Sequence, residues 1–262
     1  MTRVSHRFLM SELTLAFNLT LLLSVATRAA DWPQFRGPNR DGAWNETGLL
    51  KTFPVEGLKV RWRKPVGWGW SSPIVARGRV FLFDAQLLKP AARERVLCFE
   101  ETTGKPLWTF ACDAAYPEWV FVPGQGAGPT ATPIVEAGKV YTVGVCGQVH
   151  CLNARTGALL WERNLNKDYQ VGEMSCRASP LIDGNLLILF VGGKPGACVI
   201  ALDKKTGKEV WKALDEPVSN SSPLVVVAGG KRQLIVWTDE SVTSLAPMTG
   251  RTYWREPMVT SP

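Results

Sequence analysis

Histidine is nearly missing from this chain of 262 residues, with two copies, His6 and His150. A multi-histidine metal site is therefore excluded, and a histidine-based triad would depend on His150 once the first thirty residues are set aside. No Cys-x-x-Cys-His run occurs, which excludes covalent haem attachment of the usual kind, and no two of the six cysteines are adjacent. The formal charge is +7, yet no run reaches five or six like charges. Lys204-Lys205, Lys231-Arg232 and Arg93 with Arg95 read as solvated turns, so a nucleic-acid partner is not expected. The apolar stretch from Leu13 to Ala26 is shorter than a membrane span and is interrupted by Asn18.

That stretch follows Arg3, His6 and Arg7 and ends near small residues, Ser24-Val25-Ala26 or Ala29-Ala30. Residues 1–30 therefore read as a secretory signal peptide, with a retained anchor as the alternative. The expected location is exported, periplasmic or extracellular, with no integral membrane span after cleavage. Apolar residues make up 45% of the chain, ample for a core, and 24 Gly with 18 Pro supply many turns.

A Thr-Gly pair followed four residues after the Gly by tryptophan recurs four times. The pairs are Thr103-Gly104 to Trp108, Thr156-Gly157 to Trp161, Thr206-Gly207 to Trp211, and Thr249-Gly250 to Trp254. Five residues before each Thr stands a small residue, Cys98, Cys151, Ala201 or Ser244, followed by Phe99, Leu152, Leu202 or Leu245. Each unit opens with small residues leading into proline: Ser72-Pro73, Thr132-Pro133, Ser179-Pro180 and Ser222-Pro223. Proline marks a strand start, and short β-branched runs broken by Gly turns follow, so each unit reads as four antiparallel strands. The Gly supplies the positive φ of the turn between the third and fourth strands, and Asp203 or Asn153 caps turn amides. Blades arranged radially need a large flat group to fill the wedge between neighbours, which explains a Trp at one phase of every repeat.

On these residues the chain resembles the pyrroloquinoline-quinone (PQQ) repeat family of β-propellers, whose repeat has the form small-Leu-Asp-x-x-Thr-Gly-x-x-x-Trp. Ala201 to Trp211 match it fully; Asn153, Glu100 and Ala246 stand at the acid position of the other units. The opening Asp31-Trp32-Pro33-Gln34-Phe35-Arg36-Gly37-Pro38 is similar to the mature N-terminus of secreted members. The resemblance spans about residues 31 to 262. It implies an all-β fold, a β-propeller of four-stranded antiparallel blades.

Four blades are expected, at about 71–110, 130–165, 178–215 and 221–256. They form an open partial ring, because Leu58 to Trp62 in the N-terminal segment 31–70 reads as an orphan outer strand of a missing blade. Residues 258–262 read as a truncated tail. A closed four-bladed ring is the alternative and leaves Leu58 to Trp62 without a role.

Cys98 and Cys151 fill the small buried slot and read as packing thiols, whereas Cys112, Cys176 and Cys198 stay unassigned. Cys151 is expected opposite Thr142, a register that disfavours a bridge to Cys146. His150 holds a strand position equivalent to Leu97, Ile200 and Thr243. Gly124 to Gly128 superficially suggests a dinucleotide loop, but Pro129 and a strand follow, so it joins two blades. A ligand would sit over the central channel, where the candidates are Trp68, Trp70, Gln125, Arg177 and Asn220. Arg177 is the group suited to an anionic quinone or a partner carboxylate. No metal ligand is identified.

Two functions follow from the resemblance. One is a non-catalytic secreted scaffold that binds a protein or cell-envelope partner and needs no cofactor. The other is a PQQ- and calcium-dependent quinoprotein dehydrogenase of alcohols or sugars whose catalytic half lies outside this chain. The dehydrogenases carry a disulfide between adjacent cysteines, a calcium held by acid and amide side chains, and an Asp base, and this sequence has no adjacent cysteines.

Overall fold

The computed structural model describes residues 29–258, and the signal-peptide expectation and the final residues lie outside them. The chain divides into units 1–30 and 31–262. The second holds four antiparallel sheets, each of four strands in sequential order. Blade 1 comprises β1 (Ile74–Ala76), β2 (Arg79–Leu88), β3 (Ala91–Glu100) and β4 (Pro106–Ala114). Blade 2 comprises β5 (Ile134–Glu136), β6 (Lys139–Val143), β7 (Gln148–Asn153) and β8 (Leu159–Asn164). Blade 3 comprises β9 (Leu181–Asp183), β10 (Leu186–Gly193), β11 (Ala197–Asp203) and β12 (Glu209–Ala213). Blade 4 comprises β13 (Leu224–Ala228), β14 (Lys231–Trp237), β15 (Ser241–Leu245) and β16 (Thr252–Pro257). Every first strand starts on the residue after its proline, which has no N–H to give to a ladder.

Three apolar layers fill the seams between blades. Phe81, Phe83 and Val96 meet Val140 and Leu152 at the first. Tyr141, Val149 and Cys151 meet Leu187, Ile200 and Leu202 at the second. Ile188, Phe190 and Trp211 meet Leu234, Val236 and Leu245 at the third. Each indole N–H donates to a carbonyl in the Thr-Gly turn of the next blade: Trp108 to Ala154 at 3.2 Å, Trp161 to Lys204 at 3.2 Å, Trp211 to Pro247 at 3.1 Å. The ring lies flat against the turn glycine. A Cβ on Gly157, Gly207 or Gly250 would lie 2.5–2.7 Å from it, so the glycine is required for close approach as well as for its positive φ. Trp254 has no following blade among the described residues, bonds Gln233 of its own blade, and is 40% exposed.

Residues 58–62 form no ladder, because no partner strand stands beside them among the described residues. Trp62 nevertheless behaves as an outer-strand tryptophan: its N–H reaches Glu101 O at 2.9 Å and its ring covers Gly104. The sheet pairs Cys151 with Tyr141 and His150 with Thr142, one residue away from the sequence expectation. Gly144 and Gln148 close a three-residue loop with Gly147 at φ 89°, and this odd loop shifts the register. All six cysteines are free thiols.

Candidate functional site

The inner edge of the blades is built from the residues just before the strand-opening prolines. The amide of Ser72 donates to Thr132 Oγ1 at 3.1 Å, that of Thr132 to Ser179 Oγ at 3.0 Å, and that of Ser179 to Ser222 Oγ at 3.0 Å. Each pre-proline hydroxyl thereby ties its blade to the one before it. Proline confines the preceding residue to extended backbone, which holds the amide where the neighbour's hydroxyl can accept it.

The N-terminal segment laces across the same edge. Trp32 exchanges two backbone hydrogen bonds with Val75 of β1, and Pro33 O accepts from Val135 of β5 at 2.8 Å. Arg40 then reaches the last two blades, donating to Pro180 O at 2.8 Å and Pro223 O at 3.2 Å, with its guanidinium over the Phe35 ring. Arg40 is buried, and desolvation, aided by the nearby Arg36 charge, lowers its pKa to about 10.

Between this lace and the loops lies an axial cavity of about 440 Å³, lined among others by Phe35, Trp70, Trp119, Arg177 and Asn220. Trp70 and Ser71 hang by their amides from Pro129 O, and Thr130 Oγ1 donates to Arg177 O at 3.0 Å. The Arg177 Nε donates to Met174 O at 3.0 Å, which fixes the side chain at the wall. Trp70 is 65% and Trp119 45% exposed, so two large aromatic faces meet solvent beside one guanidinium.

Three of the five candidates thus share the cavity. Trp68 does not line it: its backbone bridges Ala85 of β2 and its ring covers Gly126. Gln125 sits in the loop after the 3₁₀ turn Glu118–Phe121 and also lies outside the lining. Sequence reasoning missed Phe35, Arg40 and Trp119. The first two stand in the Asp31 to Pro38 region and just beyond it, where a run rich in aromatics and arginine ahead of the first blade was the available signal.

The quinone and calcium of the dehydrogenases meet a poor donor set here. Among the described residues no three His, Cys, Asp or Glu side chains are placed to hold a metal, and the named cavity walls carry no carboxylate. No helix among the described residues is long and apolar enough to cross a membrane.

Blades joined radially by indoles, with a shared Thr-Gly turn and an axial mouth, define a β-propeller of the PQQ-repeat class. The chain belongs to the family described as outer membrane protein assembly factor BamB, whose model matches residues 92–262. It is similar to outer membrane protein assembly factor BamB of Burkholderia pseudomallei (strain K96243), 33% identical over 138 residues, covering 52% of this chain and 32% of that one. It is also similar to quinohemoprotein alcohol dehydrogenase ADH-IIG of Pseudomonas putida, 32% identical over 98 residues, covering 36% of this chain and 13% of that one. The chain thus spans a third or less of the length of these two curated relatives. The crystal structure of quinohemoprotein alcohol dehydrogenase from Comamonas testosteroni superposes with a TM-score of 0.55 at 16% identity, over 87% of this chain and 41% of that one, a likeness of fold.

Proposed function

We propose that this chain is part of a non-catalytic, exported propeller, periplasmic or extracellular, that binds a protein or cell-envelope partner at its axial mouth. The observation that carries this reading is the pairing of Trp70 and Trp119, both substantially exposed, with the wall-fixed Arg177 around one cavity. Tryptophan and arginine dominate the energetic centres of protein interfaces, because they bury much area at low conformational cost and keep polar tips for orientation. The name of the Burkholderia relative, an assembly factor for outer membrane proteins, supports a partner of that kind.

The competing reading, a quinoprotein dehydrogenase using PQQ and calcium, is separated by titration. Quinone absorbance and dye reduction with simple alcohols are followed while PQQ and Ca²⁺ are added to the purified chain. No saturable binding at micromolar PQQ is expected, since a micromolar Kd needs about 8 kcal/mol and this lining offers one guanidinium. Saturation lost in Arg177→Ala, or turnover of any alcohol, overturns the scaffold reading. Photo-crosslinking groups placed at Trp70 and Trp119 are expected to trap a discrete envelope protein that the same group at exposed Val227 does not.

A further inference from the structure

The seam between blades 1 and 2 differs from the next two in its charges. At the later seams the residue that ends the first strand of one blade is an acid and takes a cation from the following blade: Glu136 pairs with Lys204 at 2.6 Å, and Asp183 pairs with Arg232. The equivalent residue of blade 1 is Ala76, which stands opposite Arg79 as Glu136 stands opposite Lys139. Around it lies a cleft of about 450 Å³ whose lining includes Arg77, Arg79, Lys139 and Arg155, together with Asn153. No carboxylate lines the cleft, and none of the four cations forms an ion pair among the described residues.

Three acids come near in sequence or ladder and are turned to other tasks, and the first of them, Glu136 across from Lys139, is taken by Lys204. Asp31 accepts the backbone amide of Arg77 at 3.0 Å, and Glu100, across the ladder from Arg79, accepts from the Thr103 hydroxyl. The Arg79 guanidinium is held across the seam by Arg155 O at 2.9 Å and Ala154 O at 3.5 Å through a single nitrogen, Nη1. The guanidinium also lies beside the Cys98 thiol, so its direction is fixed, and its five N–H donors exceed these three partners. Arg77 and Arg155 are exposed and Arg79 and Lys139 are half-buried, so the charge is reachable from solvent.

Four cations around one concavity repel one another unless an anion joins them, and guanidinium forks match the oxygens of phosphate in paired hydrogen bonds. We propose that the cleft at the blade 1–blade 2 seam binds a phosphate-bearing anion, held by Arg77, Arg79, Lys139 and Arg155 in place of the internal acid that the other seams supply. The group can belong to a soluble phosphate or to a phospholipid headgroup, and the chemistry of recognition is the same for both.

The test uses the full chain. Inorganic pyrophosphate is titrated calorimetrically, and vesicles of phosphatidylcholine with and without phosphatidylglycerol are co-sedimented with protein. Wild type is expected to bind pyrophosphate saturably. The Arg79→Gln/Arg155→Gln double variant should bind at least 10-fold more weakly, while Lys205→Gln, which removes an exposed turn charge elsewhere, should stay within about twofold. Ala76→Asp, which returns an internal acid, should also weaken binding. Co-sedimentation with the anionic vesicles that the double variant loses assigns the group to a lipid headgroup. Pyrophosphate binding without vesicle binding assigns it to a soluble phosphate. Should the double variant or Ala76→Asp lose its cooperative melt, Lys139→Gln replaces it and is expected to weaken binding measurably. No saturable binding of either ligand by wild type, or an equal loss in Lys205→Gln, overturns the proposal.

Discussion

Arg40 Nη1 donates to the carbonyl oxygen of Pro180 at 2.8 Å across 140 positions of sequence, and Nη2 reaches Pro223 O, so one guanidinium joins the N-terminal lace to the inner edges of blades 3 and 4. No carboxylate shares this hydrogen-bonding set, in which Gln34 Oε1 is the other acceptor. Arg40→Ala leaves two buried carbonyls without donors and should lower the unfolding free energy by about 2–4 kcal/mol. Arg36→Ala, at an exposed side chain bonded to Asp41 O, should cost well under half of that. Denaturant midpoints measured at equal m-value check the difference.

Trp211 and Trp254 occupy the same repeat position in different surroundings. Trp211 is 7% exposed between blades 3 and 4, and Trp254 is 40% exposed. Trp211→Ala should cost about 3–5 kcal/mol, as large-to-small core changes do, and Trp254→Ala less than half as much. Equal losses in chemical denaturation would show that the outer face of blade 4 is covered in solution.

Glu94 and His150 titrate with opposite effect on stability. Burial pushes the Glu94 carboxyl up to about 7, against hydrogen bonds from Tyr116 and the Val145 amide that favour the charged form. Its stabilising contribution is complete below pH 4.5 and disappears as pH rises to about 7. Burial against the Phe110 ring pushes His150 down to about 4, with Glu162 opposing. That contribution is complete above pH 6.5 and is lost as pH falls toward 4. In wild type the two slopes offset each other between about pH 4.5 and 6.5. Glu94→Gln should therefore expose a rise of roughly 3 kcal/mol from pH 4 to 6.5. His150→Leu, which copies Leu97 of blade 1, should expose the opposite slope up to pH 7. Melting curves across pH 4–8 decide it, and parallel profiles for the two variants refute the assignment.

The thiols should be inert in the native state. Burial pushes Cys98 and Cys151 up to about 11 and Cys112, Cys146, Cys176 and Cys198 up to about 12. The thiolate is the reactive form, so iodoacetamide at pH 8 should modify the folded chain far more slowly than the chain in guanidinium. Mass spectrometry reads the count, and rapid labelling of any cysteine other than the half-buried Cys112 would contradict its burial.

Local chemistry alone determined the blades. Thr-Gly recurs because the turn needs a positive φ and cannot accept a Cβ under the neighbouring indole, and Ser/Thr-Pro recurs because proline opens a strand without a free N–H. The positive φ and the proline act within a few residues, whereas the indole over Gly157, Gly207 or Gly250 comes from the preceding blade. All recur at one phase of the repeat, so the sequence displays them, as it displays the Asx caps at Asn153 and Asp203. Trp70, Arg177 and Asn220 were legible as one cavity because all three stand in loops entering first strands. What the pre-proline hydroxyls bond was not legible, since each partner lies in another blade. Nor was the lace from Trp32 to Arg40, or the Ala76 seam, where a cationic cleft arises from one missing acid. A contact between positions 40 and 180 leaves no periodic trace in the chain. Closing so long a loop is favourable only after the blades have packed, and the tertiary structure alone decided which carbonyls Arg40 would find.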